Sequence, residues 1–195
     1  MAVPVETHSS EHIGSIGERD MQNSVPGWTD ETFQNFFMQN FARLAGVVFR
    51  FVGDYSRAED LTIEAFWRLY RQPFGESTRF NPSGWIYRTA TRMAIDSLRA
   101  DARRGRIEQQ AGPMLAGNST PDPLGGVLEA ERRAQVRKAL AYLRPEQAQL
   151  LILRASGFSY QELADTLGVK RASVGTRLIR AEAAFRKSFL GLHGK

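Results

Sequence analysis

The stretch SYQELADTLGVKRASVGTRLIR, residues 159–180, decides the fold. Ser159 and Glu162 have the spacing of a capping box, in which the hydroxyl takes an orphan N–H of the first turn and the carboxylate reaches back to the cap's own N–H. A helix therefore starts just after Ser159. Leu163, Ala164 and Leu167 follow as an apolar stripe, and Gly168 supplies the positive φ that ends a helix and turns the chain. Val174 and Leu178 have the spacing to bury one side of a second helix, and Ala164 is small where two helices cross closely. These are the offsets of a helix-turn-helix. Arg171, Ser173, Thr176, Arg177 and Arg180 fall on the remaining faces, and such side chains suit a major groove. A plain helical hairpin with a solvated basic face accounts for the arginines, but not for cap, small residue, glycine and valine at these offsets together.

Upstream of this motif the chain reads as helix throughout, with no alternating strand pattern and no internal repeat. Residues 1–28 are polar, rich in Ser, Gly and Glu, and lack a sustained apolar period, which makes them a flexible N-terminal extension. From Thr29, with Asp30 and Glu31 in a first turn, Phe33, Phe36, Phe37, Phe41, Leu44, Val48 and Phe51 describe a long helix with a broad core-facing side. Gly53-Asp54 breaks it, and Ser56 with Glu59 reads as a second capping box, opening a helix that runs to about Arg71. Pro73 and Gly75 mark a loop. Asn81-Pro82 starts a third helix, which Gly105 can end, since asparagine caps well and proline is favoured in the first helical position. Frequent Gly and Pro make residues 106–127 a linker. A helix from about Leu128 to Leu143, another from Pro145 and a stop at Gly157 lead into the helix-turn-helix. The fold class is all-α: two small helical domains, 29–105 and 128–195, joined by a flexible linker.

The third helix carries a second candidate nucleic-acid face. A period of 3.6 puts Ile86, Ala90, Met93 and Ala94 on one side and Arg88, Arg92, Arg99 and Arg103 on the other. Trp85 and Tyr87 stand near its start, so cations alternate with aromatic surfaces on which an unstacked base could lie. In the second helix Leu61, Ala65 and Leu69 form the apolar stripe, Asp60 and Glu64 share a side, and Ile63, Phe66 and Trp67 fall outside the stripe. That surplus apolar surface fits a helix packed on two sides or one that holds a partner. Glu64 and Arg68 also have ion-pair spacing.

Composition bounds the chemistry. Of 195 residues, 26 are Lys or Arg and 21 Asp or Glu, a net charge of +5. Glu6, Glu11, Glu18, Asp20 and Asp30 face only Arg19 in the first thirty residues, so the remainder is more basic than the total implies. The absence of cysteine excludes disulfides, thiolate metal sites and cysteine nucleophiles. The three histidines, His8, His12 and His193, lie in the ends of the chain and offer no acid–base pair or metal site. No apolar run reaches membrane-spanning length, and the N-terminal residues lack the basic-then-apolar pattern of a secretory signal, so we expect none. We expect a cytoplasmic, non-enzymatic protein without cofactor, metal or membrane insertion.

Taken in order, these segments resemble the extracytoplasmic-function (group IV) sigma factors of bacterial RNA polymerase, over residues 30–190. Residues 54–70, DYSRAEDLTIEAFWRLY, look like the family's segment that docks on the polymerase clamp helices. Residues 85–99, WIYRTATRMAIDSLR, look like the segment that opens and reads the minus-ten element, and the helix-turn-helix resembles the minus-35 reader. The resemblance implies polymerase contacts at Asp60, Leu61, Glu64, Phe66 and Trp67. It implies minus-ten contacts at Trp85, Arg88, Arg92, Asp96, Arg99 and Arg103, and minus-35 contacts at Lys170, Arg171, Ser173, Thr176, Arg177 and Arg180. Core RNA polymerase, promoter DNA and an anti-sigma factor are the implied partners. Ile63 stands where the family often has glutamine, Arg92 where asparagine is frequent, and Gly175 where a basic residue is usual. Lys170 and Arg171 open a helix whose dipole disfavours cations, which points to a phosphate there. The rival is a stand-alone helix-turn-helix regulator with an N-terminal helical sensor domain; it leaves the arginine stripe unexplained.

Overall fold

The computed structural model describes residues 28–72, 80–111 and 126–193, within which the regular structure is entirely helical. Helix α1 spans Asp30–Val52, α2 Tyr55–Tyr70, α3 Pro82–Ala111, α4 Gly126–Ala141, α5 Pro145–Ala155, α6 Tyr160–Leu167 and α7 Arg171–His193. The N-terminal extension before Trp28, the Pro73–Gly75 loop and linker residues 112–125 lie outside the described residues.

Local chemistry sets the helix ends. Thr29 caps α1 by a reciprocal exchange with Thr32, at 3.2 Å from the Thr32 N–H to the Thr29 hydroxyl and 2.9 Å from the Thr29 N–H to the Thr32 hydroxyl. Helix α1 ends on Gly53, whose φ of 74° is the left-handed region. The cap of α2 is Asp54, not Ser56: its carboxylate accepts the Arg57 N–H at 2.7 Å. One glycine suffices to reverse the chain, so the next residue already caps, two positions ahead of the expected start. Asn81 accepts the Gly84 N–H at 2.8 Å and starts α3. Helix α3 then runs through Gly105 to Ala111, past the expected stop. Gly105 stays helical because a helix interior tolerates glycine at a cost of about 1 kcal/mol. Helix α6 has eight residues, too few to persist alone. Its capping box is complete: the Ser159 hydroxyl accepts the Glu162 N–H at 3.2 Å, and Glu162 accepts the Ser159 N–H at 2.7 Å. Phe158 and Leu163, the positions of a hydrophobic staple, are both buried, and Gly168 closes the helix at φ 66°.

Two groups of helices result. In the first, α1, α2 and α3 pack mutually; in the second, α4, α5 and α6 gather around α7. Leu44, Val48 and Phe51 of α1 are fully buried, whereas Phe33, Phe36, Phe37 and Phe41 are only half-buried. Those four rings surround Phe66 of α2, with centroid separations from 4.7 Å for Phe37 to 6.3 Å for Phe41. Phe66 is therefore core, in line with the reading of α2 as a helix packed on two sides: α1 flanks it on the side its stripe leaves uncovered. Each such ring pair adds about 0.5–1.5 kcal/mol beyond area burial. Trp28, read as part of the extension, packs on Phe33 and Phe36 at 5.5 and 5.3 Å. The two groups are not separate. Helix α3 packs against α1 and α2 and also against α4, α5 and α6.

Two stability effects follow from the helix ends and the recognition helix. The Ser159 contacts, with a smaller contribution from Arg43, hold the Glu162 carboxyl below its usual range. A carboxylate depressed in this way stabilises the fold at neutral pH, and that contribution is lost as the pH falls through its native titration. Ser159→Ala should cost about 1 kcal/mol in denaturant unfolding, and Glu162→Gln should flatten the acid limb of the stability curve. An added Cβ at Gly175 would meet the Tyr160 ring at 3.7 Å, an ordinary contact. Gly175→Ala should therefore raise stability by about 1 kcal/mol, read by thermal or denaturant unfolding.

Candidate nucleic-acid interface

In the helix-turn-helix, Val174, Leu178 and Ala181 bury one side of α7, at 0%, 5% and 0% exposure. That anchoring turns Lys170, Arg171, Thr176, Arg177 and Arg180 to the surface, and none of the four cations makes an ion pair among the described residues. Ser173 is half-buried and committed internally. Its hydroxyl donates to the Lys170 carbonyl at 2.7 Å, and Arg177 Nε donates to that hydroxyl at 3.3 Å. Ser173 thus shapes the first turn and steers Arg177.

The arginine stripe of α3 divides. Arg92 and Arg103 are exposed, as is Asp96, and Trp85 is half-buried. Arg88 and Arg99 are half-buried and directed at main-chain carbonyls of the C-terminal helices. Arg88 Nη1 donates to Thr166 O; Arg99 donates to Leu143 O at 2.7 Å and Ala141 O at 3.3 Å. Tyr87, read as a stacking platform, is 3% exposed, its ring edge-on to Phe158 at 5.0 Å. Burial pushes its hydroxyl above the usual tyrosine range. The position one residue before Arg88 faces the second helical group, which a reading of α3 in isolation does not contain.

Trp85, Arg88 and Arg92 of α3 stand across a cleft from Thr176, Arg177 and Arg180 of α7. Its volume is about 1050 Å³, and its walls carry six arginines against two carboxylates, Asp96 and Glu146. Arg68, read in sequence only as an ion-pair partner of Glu64, also lines it, as do Arg144 and Gln149, which were not singled out in sequence. Gln149 had a visible signal, a polar residue amid the apolar run of α5. Its side chain, 8% exposed, donates to the Thr91 hydroxyl at 2.7 Å and to Arg88 O at 3.2 Å. The hydroxyl of Thr91 is itself turned back onto the Tyr87 carbonyl one turn earlier.

A second concavity, about 390 Å³, opens on the outer side of α1 and α2, floored by Phe33, Phe37 and Phe66. Its rim is apolar and open: Ile63 is 53% and Trp67 54% exposed, one helical turn apart. Asp60 is exposed, Leu61 half-buried, and Glu64 holds Arg68 at 2.8 Å. With both partners near half exposure, that pair contributes little stability. Phe66 reaches this face only as the pocket floor. Among the described residues there is no cluster able to hold a metal ion, and no helix long and apolar enough to cross a membrane.

Two family models match the chain: Sigma-70 region 2 over residues 36–104 and Sigma-70, region 4 over residues 133–185. The ECF RNA polymerase sigma factor SigE of Mycolicibacterium smegmatis is 31% identical over 179 residues, covering 88% of this chain and 65% of that protein. A probable ECF RNA polymerase sigma factor, SigI of Mycobacterium tuberculosis, is 30% identical over 152 residues, covering 75% of this chain and 52% of SigI. The chain thus spans between half and two thirds of the length of these relatives. Among solved structures, it is similar to the sigma factor RpoE in its co-crystal with the anti-sigma factor NepR from Bartonella quintana. Identity is 21% and the TM-score 0.48, over 81% of this chain and 96% of that one. The region 2 match falls within the first helical group and the region 4 match within the second, so the chain belongs to the sigma-70 family of sigma factors, within its ECF branch.

Proposed function

We propose that this protein binds core RNA polymerase and directs transcription initiation at promoters, with α3 reading the minus-ten element and α7 the minus-35 element. The observation that carries the reading is the cleft between α3 and α7, where two arginine-rich helices, one from each matched region, present cations in marked excess over carboxylates. On α7, Lys170 and Arg171 at the helix start take backbone phosphate, where the first N–H groups add their own attraction. Thr176, Arg177 and Arg180 reach base edges, each bidentate arginine–guanine pair supplying about 1–3 kcal/mol of discrimination. On α3, Trp85 offers a face to an unstacked base, while Arg92 and Arg103 hold the strand's phosphates. Arg88 and Arg99 join them when freed from their carbonyls, and Asp96 accepts from an exocyclic amine. All bond making belongs to polymerase.

The Ile63–Trp67 rim is the docking face for polymerase, with Asp60, Leu61 and Glu64 beside it and Phe66 beneath. An apolar pair this exposed on a helix turn is stabilised by being covered. Ile63 there in place of glutamine makes this contact more apolar than is usual in the family the sequence resembles. We further assign the protein to the cytoplasm and expect an anti-sigma protein as its inhibitor. Run-off transcription with core polymerase on genomic DNA is the direct test: discrete starts that depend on this subunit support the reading, and their absence removes it.

Two substitutions separate the contacts. Lys170→Ala should weaken upstream-duplex binding equally for all sequences and lower the slope of log affinity against log salt by about one, measured by fluorescence anisotropy over a salt series. Ile63→Glu should weaken core polymerase binding at least about tenfold with an unchanged melting temperature, since the side chain it replaces is already in water.

A further inference from the structure

We propose that the cleft between α3 and α7 is a binding site for a nucleoside triphosphate, its phosphates held among Arg92, Arg144, Arg177 and Arg180 and its base laid on Trp85. The site goes beyond promoter reading. It shares Trp85, Arg92, Arg177 and Arg180 with that function, but it also draws on Arg144, which stands in the turn before α5 and has no part in it.

The cations of the cleft converge. A helix that reads duplex DNA presents its basic side chains on one outward face. Here they enter a single concavity from facing helices, Arg88 and Arg92 from α3 and Arg177 and Arg180 from α7, joined by Arg68 from α2 and by Arg144. Arg68 is already held by Glu64, and Arg88 by the Thr166 carbonyl. Arg92, Arg144, Arg177 and Arg180 are exposed, and none of them makes an ion pair among the described residues. These four are the charges a ligand meets. A concave wall of low dielectric focuses their field on a compact anion, and each guanidinium fork can grip two phosphate oxygens at once.

The rest of the lining suits the other parts of a nucleotide. Trp85 is half-buried in the cleft wall, and an indole face takes a base of any sequence. Met93, Leu150, Leu167 and Val169 supply apolar surface, while the exposed carboxylates of Asp96 and Glu146 can accept from an exocyclic amine or from ribose hydroxyls. At about 1050 Å³ the cleft stands at the upper end of small-molecule sites. A single phosphate would leave most of that space to water and the indole unused, whereas a nucleoside triphosphate engages both the cations and the aromatic face.

Isothermal titration of the full chain with adenosine or guanosine triphosphate, in buffer containing a chelator, should show saturable binding of a single nucleotide per chain. Arg144→Gln should weaken that binding about tenfold with an unchanged melting temperature, while holoenzyme rebuilt on this variant binds promoter DNA as wild type does. Trp85→Leu should weaken nucleotide binding about fivefold and leave the binding of inorganic tripolyphosphate unchanged. Should that variant fold poorly, wild type carries the same distinction, since it should bind the nucleotide about fivefold more tightly than tripolyphosphate. Equal affinity for the two ligands overturns the nucleotide assignment in favour of a free oligophosphate. Nucleotide binding that Arg144→Gln leaves unchanged, or several nucleotides bound per chain, is the general attraction of anions to a basic surface and overturns the site. Initiation with core polymerase is read separately: its failure removes the sigma-factor reading and leaves the nucleotide site standing.

Discussion

A helix end leaves carbonyls without donors, and in this protein two such ends are completed by arginines from a helix far away in the chain. Arg88 serves α6 across 78 residues, and Arg99 serves the last residue of α4 across 42 and Leu143 in the turn after it across 44. Because both arginines stand on α3, that one element is committed twice: its apolar side closes the core with α1 and α2, and its cationic side completes the C-terminal helices. The position of α7, the shape of the cleft and the exposure of each basic side chain follow from that double commitment. Arg92 and Arg103, one helix turn removed from the committed pair, meet no helix end and remain in solvent.

Sequence reasoning went furthest where the physics is local. The Ser159 capping box, the left-handed Gly168, the cap at Asn81 and the buried Val174 and Leu178 all depend on residues within a few positions of one another, and they stand where the spacing puts them. Fold class was legible for the same reason, since a 3.6-residue period runs through the segments that form α1, α2 and α3. The α2 start was misplaced by two residues because Asp54 and Ser56 are both good caps; the choice depends on how tightly Gly53 turns, which spacing does not encode. Tyr87 was misread, and Phe66 left open between packing and partner binding, for a different reason: each lies off the main apolar stripe of its own helix, and burial there requires a second neighbour known only from the tertiary arrangement.

For the candidate site, residue types and helix faces could be read, but not engagement. The stripe of four arginines on α3 is uniform in sequence, yet two of them are bound to carbonyls and two are exposed. Conversely, the outer pocket gained in definition: Ile63 and Trp67 form an exposed apolar rim over an aromatic floor, a geometry that explains why so much apolar surface sits on one short helix. Gln149 illustrates the middle case. Its polarity inside an apolar run was visible, but its partners on α3 lie about 58 to 61 positions earlier.

The acceptors for Arg88 and Arg99 are main-chain oxygens, and every amino acid supplies one. Exchanging the side chain at 141, 143 or 166 therefore leaves the oxygen that the guanidinium grips in place, provided the helix still ends there. Only the two donors are irreplaceable. The contact is thus tolerant of sequence drift on one side and tightly constrained on the other: a lineage could rewrite most of α4 and α6 without losing it, but could not discard the two arginines.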